Sequence, residues 1–153
     1  MLDVAAAQLR YALSLLFGWR FSVRWLEGLG MTETWPVGGR LCEAGHLHFE
    51  VSQGLIEVKP LEGTVPAQAG EAGTLVVTLF PPYRETTLLL RYDTQDVVRV
   101  LPAELSCSLN PLPATSNLLG KRSLSVRHDQ GWTFPREVAE ALEAVEAVPL
   151  PAR

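Results

Sequence analysis

The chain has 153 residues and a formal net charge of −4, with acidic residues scattered along it. That length suits one domain with a real core, and the lack of a basic stripe or Lys/Arg-rich run argues against nucleic-acid binding. Its two cysteines, Cys42 and Cys107, do not make a disulfide framework for a chain this long, so a reduced, cytoplasmic setting is expected.

The run from Met1 to Phe17 is apolar but interrupted by Asp3, Gln8 and Arg10, unlike a secretory signal. Arg20 and Arg24 end it before the roughly 20 apolar residues that a membrane span needs. Leu2, Ala6, Leu9, Leu13 and Leu16 share one helical face, which predicts an amphipathic helix over 2–17 stopped by Gly18. Trp19 to Leu26 reads as a short aromatic strand, and Gly28 and Gly30 as a tight loop.

A period of two then takes over. Leu47, Phe49 and Val51 alternate with polar residues, as do Ile56 and Val58, and Ser52-Gln53-Gly54 between them predicts a hairpin. Pro60 to Gly73 reads as a surface loop. Strands are expected at 74–80, 86–92 and 97–101, and irregular chain over 102–116, where prolines recur. Asp129-Gln130-Gly131 predicts a second hairpin between 124–128 and 132–134. Pro135 opens a helix that places Val138, Leu142 and Val145 on one face. Val148-Pro149-Leu150-Pro151 cannot continue it. The sum is an α+β chain, strand-rich in the middle, whose strands curl into a small barrel or open sheet.

Several short motifs could carry chemistry. Gly30-Met31-Thr32-Glu33, taken alone, fits a turn in which Thr32 caps a following helix and Glu33 suits its first turn. Arg91-Tyr92-Asp93-Thr94-Gln95-Asp96 alone fits a strand end with a polar turn. Their order, together with Cys42-Glu43-Ala44-Gly45-His46-Leu47-His48, Gly70-Glu71-Ala72-Gly73-Thr74-Leu75-Val76, Leu118-Leu119-Gly120-Lys121-Arg122 and Phe134-Pro135-Arg136-Glu137-Val138, resembles the second half of the phenylacetate–CoA ligase family of acyl-adenylate-forming enzymes. The resemblance spans Glu27 to Leu142.

It implies a strand-rich, barrel-like subdomain of an adenylate-forming fold over 1–119 and the first hairpin and helix of the mobile C-terminal domain over 120–153. It implies ATP or AMP and Mg²⁺ as cofactors, and chemistry in which a carboxylate attacks the α-phosphate of ATP before a thiol, usually coenzyme A, takes the acyl group. Thr32 would hydrogen-bond the α-phosphate, Glu33 would hold Mg²⁺, and Asp96 would accept from both ribose hydroxyls. Leu29 and Gly30 would border the nucleotide, and Lys121 would lie where the family has an arginine contacting the ribose and the hinge.

There are departures from the pattern. Leu29 stands where a tyrosine normally stacks on adenine, Gln95 replaces a glycine, and Ser123 or Leu124 falls where a hinge aspartate belongs. Lys121 gives up the planar fork of an arginine. The 153 residues contain neither the Gly-rich phosphate loop nor the C-terminal catalytic lysine of the family, so no ligase activity is expected of this chain alone. Weak nucleotide or acyl-CoA binding, a structural or assembly module, and one half of a split ligase are the alternatives. A homodimer or a complementary N-terminal half is the expected protein partner; neither nucleic acid nor membrane is expected.

Some family members hold zinc with ligands from the segment matching Cys42 to His48 and a later Cys-x-Cys pair. Here Cys42, His48 and Cys107 match, while the remaining position falls on Leu105. On that ligand count zinc is not expected, unless His46 substitutes. The tryptophans Trp19, Trp25, Trp35 and Trp132 are read as core and interface packing.

Overall fold

The computed structural model describes residues 28–145. The expected helix over 2–17, the strand over 19–26 and the proline-rich end at 148–151 lie outside the described residues.

Two four-stranded antiparallel sheets and a small hairpin organise the described chain. The strands are β1 (Gly28–Leu29), β2 (Gly39–Leu41), β3 (Leu47–Phe49), β4 (Gly54–Pro60), β5 (Ala72–Leu79), β6 (Tyr92–Arg99), β7 (Ala114–Thr115), β8 (Gly120–Lys121), β9 (Val126–His128) and β10 (Gly131–Thr133); helix α1 is Pro135–Glu143. One sheet runs β1-β2-β3-β7, the other β4-β5-β6-β8, and β9 pairs with β10. A bridge between Val100 and Thr115 links the two larger sheets. This is an α+β arrangement, dominated by strands.

The core sits where the sheets meet. Leu47 and Phe49 of β3 pack with Leu75 of β5 and Val98 of β6, and Leu29, Leu41, Ile56, Val58 and Leu118 close around them. Strand β5 is one of the two inner strands of its sheet: Gly73 to Val77 are all buried, which matches its continuous apolar run Leu75-Val76-Val77. A second cluster joins Leu61, Val97, Leu119 and Phe134. It ties the β9–β10 hairpin and α1 to the main sheet, because Phe134 is 1% exposed and leads directly into Pro135 at the helix start. The Phe134 N–H donates to the Glu137 carboxylate at 3.2 Å, which caps the first turn.

The second hairpin and the last helix form as expected. Four other expectations are corrected. Residues 47–51 and 56–59 do not make a hairpin: β3 pairs with β2 and β7, while β4 pairs with β5. The alternating pattern identified strands, but the Ser52-Gln53-Gly54 turn carries the chain from one sheet to the other. The segment 86–92 is not a strand. Thr87 and Arg91 adopt left-handed backbone at φ 48° and 50°, which breaks an extended ladder, and Leu88 and Leu90 stay exposed. Conversely, Tyr92 to Asp96 is not a turn but the first half of β6. A bulge interrupts it where Gln95 takes φ 62° and the register shifts opposite Thr74 and Val76. Gln95 therefore occupies left-handed backbone at the position that the family resemblance gives to glycine. Finally, Gly28 belongs to a strand rather than a loop, and a side chain there would meet the Gly39 carbonyl at 2.6 Å. Val138 and Leu142 on α1, and Val145 just beyond it, which the sequence placed on one helical face, are exposed.

Candidate functional site

Cys42, His46, His48 and Cys107 converge, with one ligand atom of each lying within 4.8 Å of all the others. The local chain explains why. Strands β2 and β3 are joined by a tight turn in which the Cys42 N–H donates to the His46 carbonyl at 2.9 Å and the Gly45 N–H to the Cys42 carbonyl at 3.0 Å. Gly45 supplies the left-handed φ of 77° that the turn requires. His46 and His48 flank Leu47, so strand alternation sends Leu47 into the core and both imidazoles to the opposite side. That side is covered by the loop from Leu101 to Pro113, which brings Cys107.

The loop is tied to the strand. The Phe49 N–H donates to the Pro113 carbonyl at 3.0 Å. Ser108, next to Cys107, donates to Glu43, next to Cys42, through its N–H at 2.7 Å and its hydroxyl at 2.6 Å. His48 is 2% exposed. Its Nδ1 lies 3.1 Å from the Leu112 carbonyl, which can only accept, so Nδ1 carries the proton. That leaves the Nε2 lone pair facing Cys107 Sγ at 3.2 Å. His46 Nδ1 is buried and has no hydrogen-bond partner among the described residues.

These features fit a metal ion. Two thiols and two imidazoles make a zinc-type donor set. The Leu112 carbonyl orients His48 as outer-shell carbonyls do at zinc centres, and the unpartnered nitrogen of His46 is costly unless something binds it. Ligand atoms around a tetrahedral zinc sit roughly 3.3–3.8 Å apart, given bonds of about 2.0–2.3 Å, so closing this set on an ion needs shifts of about an ångström. The family pattern places the fourth ligand at Leu105; the structure brings in His46, the substitute weighed from sequence. The signal was present in the Cys42-x-x-x-His46-x-His48 spacing, but three of these residues lie in a turn and a strand whose facing loop is distant in sequence.

The residues that the resemblance assigns to nucleotide binding fall into two places. Asp96 on β6 and Lys121 on β8 are register partners. Lys121 Nζ lies 2.9 Å from both Asp96 carboxylate oxygens and donates to the Thr94 carbonyl at 3.1 Å. The Asp96 side chain is 8% exposed and that of Lys121 47%. Leu29 is half-buried against the main core and Gly30 is exposed. Thr32 and Glu33 lie exposed in a turn. Its buried member is Thr34, whose N–H donates to the Met31 carbonyl at 3.2 Å and whose hydroxyl donates to the Val37 carbonyl, also at 3.2 Å. No helix follows Thr32, so it is not a helix cap. Arg84 holds the turn by donating to the Trp35 carbonyl at 3.3 Å.

One further cleft of about 510 Å³ lies between β5, β6 and the β9–β10 hairpin, with Arg99, Trp132 and Phe134 on its walls. Arg99 is already engaged there, paired with Glu137 at 2.5 Å and stacked over Phe134. Trp35, read from sequence as packing, is 70% exposed, whereas Trp132 is half-buried beneath Arg122. No described helix is long and apolar enough to cross a membrane. A scan against models of known protein families matches none, and a search of curated proteins finds no significant match.

Proposed function

We propose that the chain is a metal-stabilised, non-catalytic module related to AMP-forming acyl-CoA ligases of the phenylacetate–CoA type. The convergence of Cys42, His46, His48 and Cys107 carries the metal part of this reading. Four protein ligands leave no open coordination position, as in structural rather than catalytic zinc sites. Bound zinc would supply a cross-link between the β2–β3 turn and the Leu101–Pro113 loop. Cys42 and Cys107 would bind as thiolates and His48 through Nε2, its tautomer held by Leu112.

The relation to adenylate-forming enzymes rests on the order of the sequence motifs. The Asp96–Lys121 pair supports a non-catalytic reading, because the carboxylate meant for the ribose is engaged by an ammonium group. Self-association is part of the proposal: Trp35, Phe80, Tyr83, Leu88 and Leu90 are large and exposed, and such side chains are candidates for a protein interface.

Metal content of the purified, reduced chain tests the first part. About one zinc per chain is expected, lost in Cys42→Ser and His46→Ala; cobalt substitution should give the visible absorption of a tetrahedral sulfur–nitrogen site. Metal-free protein that takes up neither ion would refute it. ATP–pyrophosphate exchange with aryl and fatty acids tests the second. Exchange above the blank that disappears in Asp96→Ala would make the chain an enzyme.

A further inference from the structure

We propose that Cys42 and Cys107 form a reversible thiol–disulfide pair that competes with the metal for the same sulfurs, an inference that rests on the metal centre proposed above. Both thiols are free and half-buried, so neither is sealed from a small oxidant. Their sulfurs lie within 4.8 Å. What keeps them together does not depend on a metal. Glu43 and Ser108, their immediate chain neighbours and 65 residues apart in sequence, are joined by two short hydrogen bonds. Such a clamp gives the second thiol a high effective concentration toward the first.

Closing the bond means shortening the sulfur separation to about 2.05 Å. Cys107 can supply that movement, because it sits in a loop outside the sheets, whereas Cys42 borders β2. With hydrogen peroxide as the two-electron oxidant, one thiolate attacks a peroxide oxygen; the O–O bond breaks, giving a sulfenic acid and hydroxide. The other thiolate attacks the sulfenic sulfur, the S–S bond forms, the S–O bond breaks and hydroxide leaves. Counting protons, two thiols and one peroxide become one disulfide and two waters. The sulfurs together lose the two electrons that the peroxide gains. A disulfide offers no thiolate to a cation, so oxidation removes two of the four ligands at once and metal binding protects the thiols.

The test compares the full chain stripped by chelator with the chain in excess zinc, both treated with hydrogen peroxide. The stripped protein should lose the mass of two hydrogens, yield a Cys42–Cys107 cross-linked peptide, and revert with dithiothreitol. Free zinc at a hundred times its dissociation constant should slow cross-linking about a hundredfold by mass action. In Glu43→Ala, cross-linking of the stripped chain should slow severalfold while the cysteines stay in place. Zinc binding without any cross-link would overturn the switch and leave the metal centre standing. A cross-link in protein that never binds zinc, or one formed equally fast with and without zinc, would overturn the competition. Oxidation that stops at sulfinic acid on separate residues would overturn the pairing itself.

Discussion

Lys121 Nζ sits 2.9 Å from both carboxylate oxygens of Asp96, across one antiparallel pair between β6 and β8. A ribose seeking that carboxylate must displace a cation already bonded to it. Leu29 also forfeits the stacking of an aromatic on adenine, worth roughly 1–3 kcal/mol. AMP affinity should therefore be no better than about millimolar, near −4 kcal/mol. Calorimetry with AMP, with and without Mg²⁺, checks this, and a low-micromolar constant would show that the nucleotide site survives.

The same pair has a structural consequence. Removing Lys121 leaves a carboxylate that is 8% exposed without its cation. Losing one partner of a fully buried pair costs about 3–5 kcal/mol; with Lys121 half-exposed, Lys121→Met should cost about 1–2 kcal/mol. Urea unfolding measures it. The double variant Asp96→Asn with Lys121→Met should recover part of the loss, since no uncompensated charge then remains.

Metal removal should be felt in the fold. The proposed ion joins the β2–β3 turn to a loop distant in sequence, and such closures stabilise against the unfolded chain. Chelation, or His46→Ala, should lower the melting temperature by at least about 5 °C. His128→Ala is the control: that imidazole is exposed on β9 and, among the described residues, its hydrogen bonds stay within its hairpin. A melt unchanged by chelator in metal-loaded protein would contradict a structural role.

Asp93 makes stability depend on acid. Burial pushes its carboxyl up, but the Gln95 N–H and the Lys59 ammonium outweigh burial and hold it below its ordinary value of 3.8. Lys59 Nζ lies 3.2 Å away. A carboxylate whose pKa is depressed by folding stabilises the fold above the unfolded value and loses that contribution as pH falls through the folded one. Asp93→Asn should therefore be less stable than the natural chain at pH 7, by a few tenths to about 1 kcal/mol. The gap should close as pH falls below 3.8 and on through the lowered folded value. Melting curves of both proteins across this range provide the comparison.

Phe134 should report whether the last hairpin and helix fold with the sheets. It is 1% exposed against Leu61, Val97 and Leu119. Truncating a buried phenylalanine to alanine costs about 3–5 kcal/mol. Phe134→Ala should lower the midpoint of a single unfolding transition; two transitions, one unmoved, would mean that residues 120–145 fold separately.

Much of this was readable in the residues. Period-two alternation located β3 and β4, an apolar run located β5, the Asp129-Gln130-Gly131 turn gave the β9–β10 hairpin, and Pro135 gave the start of α1, because each depends on local preference. Local preference also misled: Leu88-Leu89-Leu90 looks like a strand, yet Thr87 and Arg91 flank it in left-handed backbone and Leu90 is 74% exposed. Sheet partners were not legible. The turn after β3 has hairpin chemistry, but burial of Leu47, Phe49, Leu75 and Val98 in one core outweighs it and sends β4 to the other sheet. The candidate metal site divides in the same way. Cys42, His46 and His48 are close in sequence and were seen together. Which of them could act with Cys107, and whether His46 could substitute for the ligand missing at Leu105, depended on a loop folding back over β3. Hydrogen bonds from Ser108 to Glu43 and from His48 to Leu112 hold that loop, and they join residues whose proximity no local pattern encodes.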